Sequence, residues 1–278
     1  MRVGLRIAPA AAEVGARLAT LPALAAGAEA AGFDLLVVPE RLSAAGGFPA
    51  ALPVCAAAAA ATTRLRIATG LLALPLHHPL RVAEDAATLD ALSGGRFELG
   101  VGLGAEVEMF GGFGLELRER AARFEEALEV VRRGWAEGPV RFAGRHFRCG
   151  DIEVHPKPVQ AGGPPLWLGA RGPDALARAA QLGCGVVIEP DTDPAPYLAA
   201  WDASGRARSE ARLAFLLEPD DAALAALARR SAGAAPARLD VWLAASGAPG
   251  ELPALERSLA ALRALQVLIL PRASEGAA

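Results

Sequence analysis

Short apolar runs and longer alanine-rich stretches take turns along most of the chain, with glycine and proline marking their boundaries. Residues 3–7 and 33–38 are apolar and rich in branched side chains, the second run bounded by Gly32 and Pro39, so both are expected as strands. Between them 17–31 is expected as a helix that Gly32 closes. The alternation continues with a helix over 49–61, a strand over 65–69 and a helix opening at Pro79, where a missing N–H costs nothing. Val82, Ala86 and Leu89 share one face of that helix, and Gly94-Gly95 ends it before a strand at 97–101. The clearest helical stripe lies in 120–135. There Phe124, Leu128, Val131 and Trp135 recur at helical spacing, and Glu129 and Arg133 form an outward i, i+4 pair.

Helical period then stops, and the proline- and glycine-rich stretch 138–165 predicts a hairpin excursion over one face. Strands follow at 166–169, 186–189 and 213–217, with helices at 173–182 and 220–231. Near the end two runs, 239–244 and 267–270, both look like strands, with a helix over 252–265 between them. Of these, 267–270 is taken as the closing strand and 239–244 as an extra or distorted segment. Strands this apolar, each separated by a helix, suit a parallel sheet covered on both faces. Eight such units close most economically into a (β/α)8 TIM barrel, an α/β fold expected here as one domain over 1–278. A doubly wound open sheet stays as an alternative, although its usual glycine-rich first turn is replaced by Ala8-Pro9-Ala10.

Composition narrows the function classes. Hydrophobic residues are 53% and charged ones 21%, which excludes a disordered chain. The 28 basic and 31 acidic side chains are interspersed, with no basic block for nucleic acid, so a small-molecule substrate is expected. Cys55, Cys149 and Cys184 lie far apart, which fits a reducing cytoplasm. The histidines His77, His78, His146 and His155 show no metal-ligand spacing, so no metal site is expected. His146 and His155 are placed in the excursion, facing solvent or a partner. No apolar stretch is long enough for a bilayer, and no membrane association is expected.

Four segments carry a resemblance. The first is Ala28-Glu29-Ala30-Ala31-Gly32-Phe33-Asp34 running into Val37-Val38-Pro39-Glu40. The second begins at Thr62-Thr63-Arg64-Leu65-Arg66-Ile67-Ala68-Thr69-Gly70 and passes through His78-Pro79-Leu80. It ends in Leu92-Ser93-Gly94-Gly95-Arg96-Phe97 and the turn Gly100-Val101-Gly102-Leu103-Gly104. The third is Arg123-Phe124-Glu125-Glu126 with Gly144-Arg145-His146-Phe147, and the last is Pro156-Lys157-Pro158-Val159-Gln160 with Pro164-Pro165-Leu166-Trp167-Leu168-Gly169. In order and spacing, over about residues 2–190, they resemble the bacterial luciferase-like monooxygenase superfamily; the remainder matches only in its alternation and looks shortened.

The resemblance implies a barrel whose strand ends hold reduced flavin mononucleotide (FMN) or the reduced deazaflavin coenzyme F420, for hydride transfer or oxygen insertion. It implies a bulge at Thr69-Gly70-Leu71, with a non-proline cis peptide at Gly70-Leu71, on which the ring leans; read from the residues alone, the same place is an ordinary strand end. Gly102 and Gly104 either make a tight turn or let the ring approach the backbone. The loop Gly169-Ala170-Arg171 is either a surface turn or a phosphate cradle at a helix start. A homodimer and a flavin reductase partner follow from family precedent alone.

Departures matter too. Relatives often carry a histidine after the acidic residue that ends the second strand; here Glu40 is followed by Arg41, which cannot take a proton but can hold an oxyanion or carboxylate. The arginine and glutamate that relatives carry around the glycine turn are replaced by Leu103 and Ala105. His77 and His78 lie in the loop after the third strand; either one of them supplies the missing imidazole, His77 being taken as the candidate, or both serve helix entry or the surface. Glu40, Arg41 and His77 are thus the candidate catalytic set. The alternative reading is a non-catalytic cofactor-binding or partner protein of the same fold. An unrelated barrel lyase is disfavoured, because the sole lysine, Lys157, lies in a loop.

Overall fold

The structure, a computed structural model, describes residues 1–41, 47–217, 238–245, 256–257 and 259–260. Eight parallel strand positions close on themselves. β1 (Arg2–Ile7) pairs with β2 (Leu35–Val38), and β2 with β3 (Arg66–Thr69). After a two-residue break β4 (Leu72–Ala73) continues the same position, and both pair with β5 (Phe97–Gly102). A separate antiparallel hairpin, β6 (Val140–Ala143) with β7 (Arg148–Ile152), is the excursion expected within 138–165. The cylinder continues from β5 through β8 (Leu166–Gly169), β9 (Gly185–Ile188) and β10 (Arg212–Leu217). It closes through β11 (Arg238–Ala245), which pairs with both β10 and β1.

That closure corrects one expectation. The eighth place is taken by 238–245, not by 267–270, which lies outside the described residues, as do 220–231 and most of 252–265. β11 runs in register with β1 from Arg2↔Asp240 to Ile7↔Ala245. The Asp240 carboxylate faces the barrel interior and is paired with Arg2. An inward charge on a barrel strand is stable once it is paired.

Among the described residues, the helices around the cylinder include α1 (Val14–Ala31), α2 (Ala51–Ala60), α3 (Pro79–Leu92), α4 (Val107–Gly112), α5 (Arg120–Trp135), α6 (Pro173–Gln181) and α7 (Ala195–Ala203). Val3, Leu5 and Ile7 of β1 belong to the helix-facing core, alternating with the inward Arg2, Gly4 and Arg6 as the pleat requires. The α5 stripe behaves as its spacing predicts: Phe124, Leu128, Val131 and Trp135 are buried, while Glu129 and Arg133 pair on the outside at 2.8 Å.

A second apolar cluster fills the cylinder itself, from Leu35, Val37, Ala68, Trp167, Val187, Ala214 and Trp242. The two indoles meet edge to face with centroids 5.6 Å apart. Below them, at the strands' N-terminal end, Glu98 accepts from Arg2, Arg66 and the Trp167 N–H, and Arg2 also pairs with Asp240. That end of the barrel is closed.

His146 departs from its expected place. Its side chain is only 5% exposed, 3.8 Å from Glu119, because the hairpin turn folds back onto α5. The Glu126 carboxylate accepts the N–H groups of Arg145, His146 and Phe147, which docks the turn. His155 is exposed, as expected.

Candidate functional site

The other end of the cylinder is formed by the strands' C-terminal ends, where barrel enzymes place their chemistry. The break between β3 and β4 is the local cause of its shape. Thr69 is fully buried; its hydroxyl donates to Gly100 O at 2.7 Å and accepts from Gly100 N at 2.9 Å, pinning the strand end to β5. The next peptide bond, Gly70-Leu71, is cis, where the resemblance placed it. A Cβ at Gly70 would lie 2.1 Å from Val37 Cγ1, so only glycine fits.

The half-buried Leu71 side chain is thereby laid over neighbouring glycines. A Cβ at Gly169 would stand 2.3 Å from Leu71 Cδ1, and one at Gly100 would stand 3.0 Å from Cδ2. At Gly102 the same test gives an ordinary 3.5 Å contact. Gly104 has φ 70°, a conformation glycine supplies freely, and backs onto Phe110 of α4. Between the ends of β5 and β8, therefore, one apolar side chain is bordered by partly exposed backbone at Gly102, Gly104 and Gly169 that carries no side chains of its own. A flat ring system fits such a slot: Leu71 offers an apolar support and the glycines leave the approach clear.

Glu40 is tied to the same bulge. Its N–H donates to Leu71 O at 3.3 Å, and its carboxylate accepts from Ala73 N at 2.9 Å. His77 Nε2 lies 3.0 Å from both carboxylate oxygens. Glu40 has a side chain only 2% exposed against 29% for His77, so the imidazole is the partner that reaches toward solvent. Arg41 turns elsewhere and pairs at 2.8 Å with Glu106, the residue that opens α4. The structure thus brings Glu40 and His77 together and gives Arg41 a carboxylate of its own.

At the end of β8 the picture is mixed. Ala170 is buried and its N–H donates to Val187 O at 3.2 Å, so this amide serves the sheet. Arg171 is exposed and 3.4 Å from Glu189. The bond from Leu176 N–H to Gly172 O, 3.2 Å, spans the first turn of α6, which leaves the preceding amides pointing out of the helix end. With Arg171 beside them they could hold a phosphate.

Sequence reasoning did not foresee the pairing of Arg41 with Glu106 or of Arg171 with Glu189. Neither carries a local signal: the first pair is 65 positions apart and the second 18.

Comparison with known proteins agrees with this geometry. The family model described as luciferase-like monooxygenase matches residues 2–264. The F420-dependent glucose-6-phosphate dehydrogenase of Beutenbergia cavernae is 37% identical over 168 residues, covering 58% of this chain and 49% of that protein. The 4-hydroxyprotoasukamycin monooxygenase of Streptomyces nodosus subsp. asukaensis is 34% identical over 178 residues, 61% of this chain and 48% of that one. The chain spans about half the length of the curated relatives it matches. Among solved structures, the monooxygenase RslO1 from Streptomyces bottropensis superposes with a TM-score of 0.81 at 25% identity, covering 94% of this chain and 98% of that one. With its closed barrel, glycine-bordered bulge and a family match over most of its length, the chain belongs to the luciferase-like monooxygenase family.

Proposed function

We propose that the protein is an oxidoreductase that binds reduced FMN or F420 in the slot over Leu71 and acts on a small organic substrate. The observation that carries this reading is the slot itself, a half-buried leucine bordered by Gly102, Gly104 and Gly169 at the open end of the barrel. Relatives of both cofactor types are similar to this chain, so either cofactor remains compatible. When bound, it would supply hydride transfer or activation of oxygen.

The chain's own residues divide the remaining work. Thr69 and Gly70 shape the bulge, Leu71 supports the ring, and the glycines admit it. Arg171 and the amides at the start of α6 hold the phosphate. Arg41, already compensated by Glu106, would help an anionic group only by exchanging that partner. One barrel domain over 1–278 acts as a homodimer in the cytoplasm, where the separately buried thiols of Cys55, Cys149 and Cys184 stay reduced. On the flavin branch a reductase supplies the reduced cofactor.

Titration of the full chain with reduced FMN and with reduced F420, under anaerobic conditions, tests the reading. Saturable binding of at least one is expected, and absence of both overturns it. Binding without turnover across a broad substrate panel would favour the non-catalytic reading that the Arg41 replacement suggests.

A further inference from the structure

We propose that His77, oriented by Glu40, is the proton donor and acceptor of this site, reaching it from the loop after β4 in place of a residue after β2. The inference rests on the oxidoreductase reading above and adds to it the group that moves the proton.

Glu40 is almost wholly buried, and a buried carboxylate needs partners. Among the described residues, its carboxylate is met by the Ala73 N–H, from the bulge, and by His77 Nε2. A neutral imidazole can satisfy this arrangement only by placing its proton on Nε2, which leaves Nδ1 as the acceptor. Among the described residues Nδ1 makes no hydrogen bond. The geometry is that of a base held in one tautomer by a buried acid, with its other nitrogen open. Arg41 cannot do this work, since it holds its proton at physiological pH and is engaged by Glu106. Asp85 on α3 also lies within electrostatic reach of the imidazole.

The chemistry follows from the open nitrogen. For a carbinol substrate, a bound oxidised flavin or deazaflavin would supply the hydride acceptor for the C–H hydrogen and its electron pair. The hydroxyl proton passes to Nδ1 and the C=O bond forms. In the reverse direction the imidazolium returns that proton to the carbonyl oxygen. His77 is then a catalytic residue and Glu40 a positioning residue.

Two readouts on the full chain test this without a known substrate. In long-range 1H–15N spectra of the 15N-labelled protein at neutral pH, His77 is expected as the Nε2–H tautomer; an Nδ1–H tautomer overturns the proposal. Carbethoxylation by diethylpyrocarbonate, mapped by mass spectrometry, is expected at His77 and slowed at least several-fold by whichever reduced cofactor binds. The exposed His155 should react equally with or without cofactor. If a cofactor binds and His77 is not shielded, the proposal fails while the oxidoreductase reading stands. If neither cofactor binds, that reading fails first. For any alcohol or ketone the protein turns over, His77→Ala should lower kcat by about 10²–10⁴-fold with little change in KM. Added imidazole should restore part of the rate, which loss of a merely structural side chain would not allow.

Discussion

At the N-terminal end of the barrel the interior is crowded with charge and aromatic rings; at the C-terminal end it is bordered by glycine. The same eight strand positions produce both. Near their starts the inward positions carry Arg2, Arg66, Glu98, Asp240 and Trp167, each satisfied by another. Near their ends they carry Gly70, Gly102 and Gly169, whose missing side chains leave room around Leu71. The difference separates two tasks. One end excludes water and contributes stability, while the other gives up packing at the place where a ligand is proposed to bind. Each end can be disturbed without touching the other, and such changes should have opposite signatures.

The largest effect is expected at the closed end. Glu98 is fully buried and joins Arg2, Arg66 and the Trp167 indole. Removing one member of a buried ion cluster leaves charge without compensation and typically costs about 3–5 kcal/mol. Glu98→Ala should therefore show that loss in urea unfolding, a large share of the roughly 5–15 kcal/mol that holds a domain together. If it costs no more than a surface substitution, the closed end is not what stabilises the barrel. Should it fail to fold, Glu98→Gln, which keeps the shape, provides the measurement.

Acid offers a second handle on the same cluster. Burial alone would push the Glu98 carboxyl upward, but Arg2, Arg66 and the indole N–H outweigh it and hold it at about 2, below the ordinary 4.5. Its contribution is thus complete above about pH 4.5 and is lost as pH falls toward 2. Glu29 behaves alike: the backbone N–H groups of Leu65, Arg64 and Thr63 hold it at about 2. Wild-type stability should decline across that window, and Glu98→Gln should flatten the decline. An unchanged slope would mean that the cluster is not formed in solution.

A smaller cost is expected where the closed end is tightly filled by an aromatic ring. A Cβ at Gly185 would stand 2.7 Å from Trp167 Cε3 and 3.0 Å from Arg212 Cβ. Gly185→Val should overpack the interior and destabilise by about 1–3 kcal/mol, read from thermal or urea unfolding. Cofactor titration of the folded fraction should be unchanged, because the site lies at the opposite end.

How much of this was legible in the sequence differs between the two ends. The mouth was readable because its signals are local: Thr69-Gly70-Leu71 and the glycine turn at 100–104 occur within single strand ends, and a resemblance covering them placed the cis bond correctly. The closed end was not, since Arg2, Glu98 and Asp240 are brought together only when the cylinder closes, across 96 and 238 positions. The same blindness explains the misplaced closing strand. The pairing of Asp240 with Arg2 on β1, which ties 238–245 into the eighth place, spans nearly the whole chain and leaves no local sign. His77 falls between these cases: it was named from its loop, but only the fold shows that Glu40 holds it.

The smallest structural change should give the clearest functional one. Gly102 borders the slot, and a methyl group there would make an ordinary 3.5 Å contact with Leu71 Cδ1, with no backbone conformation that an alanine resists. Gly102→Ala should therefore alter stability by less than about 1 kcal/mol, and the loss of glycine's backbone freedom favours the variant. Yet the methyl group projects into the slot proposed for the ring. Affinity for the reduced cofactor should fall about tenfold, equivalent to about 1.4 kcal/mol. Parallel melting curves and titrations decide the matter. Unchanged affinity would reduce this glycine to a turn residue, and a stability loss as large as that of Gly185→Val would mean that the mouth is packed like the closed end.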